Sequence, residues 1–395
     1  MTAFRLALSN LAHERGRTAV SVVGSAFAVV LVFMQYGFLG ALYDTATLLY
    51  DRLAFDLMLT SSEYLEFSRP GTMDRARLAQ ARSVAGVEDV VPLSSETALW
   101  RNPTDDPERG GKRWQLAVLG VDPGRLDETF LPPDRGLFGS PAGEAAARAE
   151  LAQLGTVLLD RRSRPDFGDP TKMPPGTVIE VSGRRIELAG YFELGTGFSF
   201  TGMLLTNEET FPTIARQTPG RVSFGLVKVA PGADPAAVAE RLRSEMPRDV
   251  LVFTRDEIND HERVYWVEKN AIGQFFTFGV SLALLVGAVF IYQMMVADIK
   301  KHLPEYATLK AVGYRFGYLF RVVVWQSLIL AVAGYAIGLV VSLVLYELTR
   351  QVAHLPVRMT GERLALVLAL AVGMCVGSAL AAVRKLRTAD PADLF

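Results

Sequence analysis

The sequence predicts an integral membrane α-helical protein: four transmembrane helices carrying one large mixed α/β extracytoplasmic domain. Three observations lead there. The chain of 395 residues is 50% hydrophobic and 21% charged, with a mean hydropathy of +0.23. That is too apolar for an ordinary soluble domain and too charged for a chain held wholly within a bilayer. Four stretches, Thr18–Tyr43, Asn270–Ala297, Val322–Tyr346 and Leu364–Val383, contain no Asp, Glu, Lys or Arg. Each reaches the ~20 residues that cross a hydrocarbon core of about 30 Å. Finally, basic residues cluster on one side of these spans, so every charge asymmetry agrees with one topology.

Residues 1–17 place Phe4, Leu8, Leu11 and Ala12 on one helical face, with Arg5, Arg15 and Arg17 elsewhere. This suits an amphipathic helix on the cytoplasmic membrane surface; a basic tail that only sets topology fits the segment as well. Residues 18–43 form the first span, too long for a signal-peptide core and read as a retained anchor with the N-terminus inside. Residues 44–269 have ordinary soluble composition and fall outside the membrane.

Within them, Asp74–Ala85 reads as a helix ending at Gly86, followed by a strand Val87–Pro92. Trp114–Val121 and Thr156–Asp160 read as further strands, and Thr177–Val181 with Arg185–Tyr191 flank Ser182-Gly183 as a hairpin. Phe224–Val229, Ala233–Glu245 and Val250–Thr254 give strand, helix, strand. Stretches 102–111, 131–143 and 164–176 are rich in Pro and Gly and read as loops. No Pro or Gly interrupts residues 256–272, so a continuous helical rod into the second span is expected, with a flexible stalk as the alternative.

The second span occupies 270–297, a cytoplasmic loop 298–321, the third span 322–346, a short outer loop 347–363, the fourth span 364–383 and a cytoplasmic tail 384–395. The loop carries Lys300, Lys301, Lys310, Arg315 and Arg321 against Asp298 and Glu305, which places it inside. Pro304 suits the first turn of a short helix and Gly313 its end. A helix there is either a connector or a docking element. Gly334/Gly338 and Gly373/Gly377 carry the spacing that permits close helix packing, within a bundle or across a dimer, though chance also produces it.

Several chemistries are excluded. The one Gly-Lys pair, Gly111-Lys112, is followed by Arg113 and has Asp106 where a phosphate loop needs its first glycine. There is no G-x-S-x-G and no H-E-x-x-H. The four histidines are scattered, and Cys375 lies alone in an apolar run. No cofactor or metal site is expected. A net charge of −1 gives no basic field for nucleic acid. The spans lack the carboxylates of an ion-driven carrier, so energy would come from a partner.

The segment E-Y-A-T-L-K-A-V-G-Y (Glu305–Tyr314) resembles the one after the second transmembrane helix in FtsX-like ABC transporter permeases, the group that includes MacB, LolC/LolE and DevC. The segment M-C-V-G-S-A-L-A-A-V-R-K-L (Met374–Leu386), the closing A-D-P-A-D-L-F (Ala389–Phe395) and the order of one span, large outer domain and three spans extend that likeness. Within the group the chain looks most like DevC. The resemblance implies a MacB-type permease architecture, a homodimer, and an outer domain with a porter-like α/β portion and an inserted mainly β portion. It implies a separate ABC ATPase docked on Glu305, Tyr306, Thr308, Leu309, Lys310, Val312 and Gly313, membrane lipid around the spans, and location in the inner membrane. It also implies a periplasmic adaptor, a TolC-like outer-membrane channel and lipid-like cargo. Two other roles stand beside export: an FtsX-like transducer that activates an extracytoplasmic partner, and lipoprotein release of the LolC/LolE kind. A membrane-anchored enzyme has no catalytic constellation to support it.

Overall fold

The computed structural model describes residues 3–13, 15–103, 112–132, 134–215, 217–301 and 316–387. The chain divides into two units, Met1–Ala41 with Ala271–Phe395, and Leu42–Asn270.

Among the described residues four helices are long and apolar enough to span a membrane, Arg15–Ala46, Ala271–Ala297, Phe320–Ala353 and Gly361–Ala381, and they make up most of the first unit. They are apolar almost all round, as a lipid-facing helix must be. Two small cores knit them. Val29, Val32 and Phe33 of the first span meet Ala283, Val367 and Ala371; nearer the other end Ile291, Met295, Val323, Ala331, Cys375 and Ala379 pack together. Between lipid-soluble helices there is little hydrophobic drive, so small residues and side-chain hydrogen bonds carry association. Ser378 donates to the Ala288 carbonyl at 3.0 Å, Tyr335 to Leu364 at 3.0 Å, and Tyr346 to the Phe33 carbonyl. The helix Ala3–His13 buries Ala7, sets the Phe4 ring edge-on to Trp325 at 5.2 Å, and leaves Leu8 about half exposed.

The described residues of the second unit form eleven strands: β1 (Leu57–Ser61), β2 (Met73–Asp74), β3 (Val87–Arg101), β4 (Arg113–Val121), β5 (Thr156–Asp160), β6 (Thr177–Val181), β7 (Arg184–Phe192), β8 (Met203–Asn207), β9 (Arg221–Val222), β10 (Phe224–Val229) and β11 (Val250–Thr254). Nine lie in one sheet ordered β11-β1-β10-β3-β4-β8-β5-β7-β6. The long strand β3 belongs to two lobes. Its first half completes an antiparallel sheet β11-β1-β10-β3, covered by helices Ala76–Arg82 and Pro235–Glu245 through Leu78, Ala81, Val238, Ala239 and Leu242. Its second half pairs with β4 and, at Trp100↔Val181, with β6, which closes β3-β4-β8-β5-β7-β6 into a barrel. Trp100, Val118, Leu159, Ile179, Ile186, Leu188 and Leu204 fill it. Closure removes the unpaired edge that β6 would otherwise expose.

The hairpin between β6 and β7 turns on Ser182 (φ 49°) and Gly183 (φ 79°). Two positive φ angles in a two-residue loop match the right-handed twist of the strands it joins. Strands β5, β6, β10 and β11 coincide with the sequence expectation, and β3, β4 and β7 extend it. Strands β1 and β8 were not anticipated: L-M-L-T-S and M-L-L-T-N are buried at every position, so no alternation marks them. The helix Pro141–Leu151 was also missed, although Ser140 caps it and Pro141 opens it.

The expected continuous rod over 256–272 is not formed. A capping box at Thr254 and Glu257 starts the helix Arg255–Val264, which widens to a π-turn over Tyr265–Lys269 and stops. Asn270 is extended at φ −78°, ψ 141°, its N–H bonded to the Tyr265 carbonyl at 2.8 Å, and a new helix begins at Ala271. Asn tolerates such a break because it is a weak helix former; the absence of Pro and Gly was not enough to carry the helix through.

Candidate functional site

The segment singled out for ATPase coupling, Glu305, Tyr306, Thr308, Leu309, Lys310, Val312 and Gly313, lies outside the described residues, as does the closing Ala389–Phe395. The helix Ala271–Lys301 leads into it and Phe316–Ala353 leads out, and Lys300 and Lys301 stand in the last turn of the former. Lysines at a helix C-terminus complement the partial negative charge there.

The glycine pairs have different surroundings. A Cβ on Gly334 would stand 2.5 Å from Ser25 Cβ and 3.0 Å from the Ala26 nitrogen; one on Gly338 would stand 2.7 Å from Val29 Cγ1 and 3.0 Å from the Ala26 carbonyl oxygen. Backbone atoms cannot rotate away, so the third span can lie against the first only with glycine at these positions. On the fourth span a Cβ at Gly373 or Gly377 would meet nothing within 4 Å. These two line an open groove of about 380 Å³ with Ala288, Val289, Tyr292 and Ser378.

The second unit contains a polar knot that the sequence did not reveal. Helix Arg255–Val264 buries Ile258 and Glu262, one turn apart, and Trp266 follows at the same spacing. Glu262 is 0% exposed, and its Oε1 accepts hydrogen bonds from Tyr50, at 3.1 Å, and from Tyr64. The two hydroxyls also touch each other at 2.7 Å. Tyr50 sits in a short 3-10 turn after the first span, and Tyr64 just past β1. Oε2 of Glu262 has no hydrogen-bond partner among the described residues, nor has Trp266 Nε1.

Burial pushes the Glu262 carboxyl up to about 8; Glu66 nearby pushes the same way, while the hydroxyls of Tyr64 and Tyr50 and the Trp266 indole pull it down. The acid is therefore mostly neutral at pH 7. Glu66 is itself buried and raised by burial, with Arg69 at 3.3 Å pulling it back, and Arg69 also donates to the Tyr265 hydroxyl. His261 bonds the Leu65 carbonyl at 3.1 Å and lies against the Tyr64 ring. At the head of the same helix, Arg255 donates to the carbonyls of Tyr50, Leu53 and Phe55 at 3.0, 3.0 and 2.7 Å, with its guanidinium 3.9 Å over the Phe55 ring. Both ends of this unit, the chain after the first span and the chain before the second, are thus tied to one helix. The signal in the sequence was Glu262 standing between Ile258 and Trp266 in an apolar stripe, where a carboxyl must be neutral or paired.

Among the described residues no group of His, Cys, Asp and Glu could hold a metal ion.

Comparison with known proteins supplies what this geometry does not. Residues 18–245 match the model of the MacB-like periplasmic core domain, and residues 277–391 that of the FtsX-like permease C-terminal region. No curated protein matches the chain. Among solved structures it is similar to the extracellular domain of the noncanonic ABC-type transporter YknZ from Gram-positive bacteria, at 14% identity over 51% of this chain and 98% of that one, TM-score 0.32. It is similar to the periplasmic region of MacB from Actinobacillus actinomycetemcomitans, at 13% identity over 53% and 92%, TM-score 0.35. A domain of a putative permease from Porphyromonas gingivalis is 16% identical over 50% and 88%, TM-score 0.31. Permeases with these two regions are membrane components of ABC transporters, in general non-catalytic, and typically pair with an ABC ATPase. With its core-domain match spanning more than half the sequence and its C-terminal region matched as well, the chain belongs to the MacB/FtsX-like family of ABC transporter permeases.

Proposed function

We propose that this chain is the permease subunit of an ABC exporter, passing the motion of a separate ATPase to its outer domain to expel a lipid-like or similar substrate. The observation that carries this reading is E-Y-A-T-L-K-A-V-G-Y (Glu305–Tyr314), held between two spans of a chain with no phosphate loop of its own. Glu305, Tyr306, Thr308, Leu309, Lys310, Val312 and Gly313 form the ATPase contact, with Tyr306 and Leu309 as apolar anchors rimmed by charge. Positive charge on the loops places both termini in the cytoplasm and the outer domain in the periplasm, with the spans in the inner membrane. Two copies associate in the membrane, and a periplasmic adaptor and TolC-like channel continue the route, as in systems of the DevC kind. Gly334 and Gly338 hold the third span against the first; Gly373 and Gly377 leave a groove for a neighbour in the membrane.

A transducer of the FtsX kind uses the same family architecture to activate an outer enzyme, and family membership is compatible with both. The size of the outer domain, with its closed barrel beside the α/β lobe, favours export. The test is copurification from native membrane, with mass spectrometry of bound proteins and lipids. An adaptor and a lipid-like cargo support export; a cell-wall hydrolase recovered instead overturns it.

A further inference from the structure

We propose that Glu262 with Tyr50 and Tyr64 forms a proton-operated latch: as a neutral acid it ties both tyrosines to the helix Arg255–Val264, and as a carboxylate it lets them go. The geometry is that of a closed joint with one weak point. Both hydroxyls converge on a single oxygen, Oε1, and the second oxygen is enclosed with no full hydrogen bond among the described residues, the Trp266 indole acting on the carboxyl without closing a bond to it. A protonated carboxyl can bear this, because its missing partner is one neutral hydrogen bond. An ionised one would leave half its charge desolvated and unpaired, a far larger cost.

The groups facing the carboxyl do not neutralise that charge. Tyr50 comes from the turn after the first span and Tyr64 from the turn just past β1; both are buried and held well above their ordinary range, so they stay protonated donors. Glu66, from the loop beyond Tyr64, adds like charge and keeps its own arginine, Arg69. Phe253 of β11 brings no charge, and His261 on the same helix is spent on the Leu65 carbonyl. Arg255 is committed to three carbonyls and Arg263 lies over the Tyr43 ring. Among the described residues no cation is therefore placed to hold an ionised Glu262 in its seat.

The latch has a definite pH window. In the open state the carboxyl returns to its ordinary value near 4.5; in the closed state burial raises it to about 8. Closing takes up one proton between those limits. The opening equilibrium therefore rises about tenfold per pH unit from 4.5 to 8 and levels off above. Acidification of the outer compartment tightens the joint, and a neutral or alkaline one loosens it, independently of any ATPase.

The experiment is amide hydrogen exchange of the full chain in lipid nanodiscs from pH 5 to 9, corrected for the intrinsic pH dependence of exchange. The peptides to follow cover residues 47–53, 61–66 and 258–266, with β5 as an internal reference. Protection in the three segments should fall about tenfold per unit up to pH 8, while β5 does not follow. Glu262→Gln should make it independent of pH. Tyr64→Phe, which deletes a donor to the carboxyl, should carry the fall to higher pH; Glu66→Gln, which deletes the like charge, should end it lower. Wild-type protection that is flat with pH, an unchanged slope in Glu262→Gln, or midpoints that fail to move in opposite directions in the other two variants would overturn the latch.

Discussion

Replacing glycine pairs by alanine on two spans separates close packing from chance spacing. In Gly334→Ala/Gly338→Ala each new methyl meets the first span, at 2.5 Å from Ser25 Cβ and at 2.7 Å from Val29 Cγ1, with Ala26 backbone atoms 3.0 Å from both. Carbon atoms rest at about 3.5–4 Å, so the helices must part by up to about 1 Å. Overpacking of this sort costs about 1–3 kcal/mol per site. Against it stands the helix propensity of alanine, worth about 1 kcal/mol per exchange. The second pair, Gly373→Ala/Gly377→Ala, makes the same chemical change on the fourth span and meets nothing within 4 Å. Propensity cancels between the two double variants, leaving a steric difference of about 2–6 kcal/mol. One displacement of the first span clears both clashes, so the sites are not additive and the low end applies. Cys375 is the only cysteine and is 1% exposed, which makes thiol labelling during a thermal ramp a reporter of bundle opening. At about 2–4 °C per kcal/mol, the labelling midpoint of the first variant should lie about 4–8 °C below that of the second. Equal midpoints would mean that Gly334 and Gly338 do not set the approach of these helices.

Three further outcomes are expected. With the Glu262 carboxyl raised from 4.5 to about 8 by folding, its own contribution to unfolding free energy, read as wild type against Glu262→Gln, should be largest below pH 4.5 and fall by about 1.4 kcal/mol per unit until pH 8; denaturant titrations of the two proteins check this, and matching pH profiles would refute it. Gly183→Ala places a side chain at φ 79° and should cost about 1–2 kcal/mol by the same titration, while Gly361→Ala, at a helix start with open space, should be neutral. In a Cys375→Ala background, a cysteine at Lys172, 72% exposed, should react with an impermeant thiol reagent in intact cells and one at Lys301 should not; the reverse pattern would invert the topology.

The fold class was legible because its causes are local. Four charge-free runs and a hydropathic imbalance dictate spanning helices whatever they pack against. Strands bounded by turn residues, such as β6 and β7 around Ser182-Gly183, were legible for the same reason. What was not legible depended on contacts distant in sequence. The burial of β1 and β8 on both faces erases their alternation, and β3 runs on past Pro92 only because β4 and β6 pair with its second half. The π-turn before Asn270 leaves no residue signal of the Pro or Gly kind. The Glu262 knot joins residues 50, 64 and 262, separations that no periodicity records. The segment proposed for ATPase coupling is marked only by likeness to other permeases, since a short basic loop by itself is consistent with a connector.

The central claim, that residues 305–313 seat an ATPase, is tested most directly by recovery of that partner. Tyr306→Ala/Leu309→Ala and wild type are reconstituted in nanodiscs and used to pull down an ABC ATPase from the native cells. Loss of two apolar anchors should cost at least about 2 kcal/mol, roughly thirtyfold in affinity. Charge reversal of Glu305 and Lys310 should weaken capture less, since rim charges mainly tune association rate. The double variant should insert, keep the wild-type Cys375 labelling midpoint, and no longer retain the ATPase or ATP-dependent activity. Equal recovery of the ATPase by both proteins would contradict it and reduce the loop to a connector.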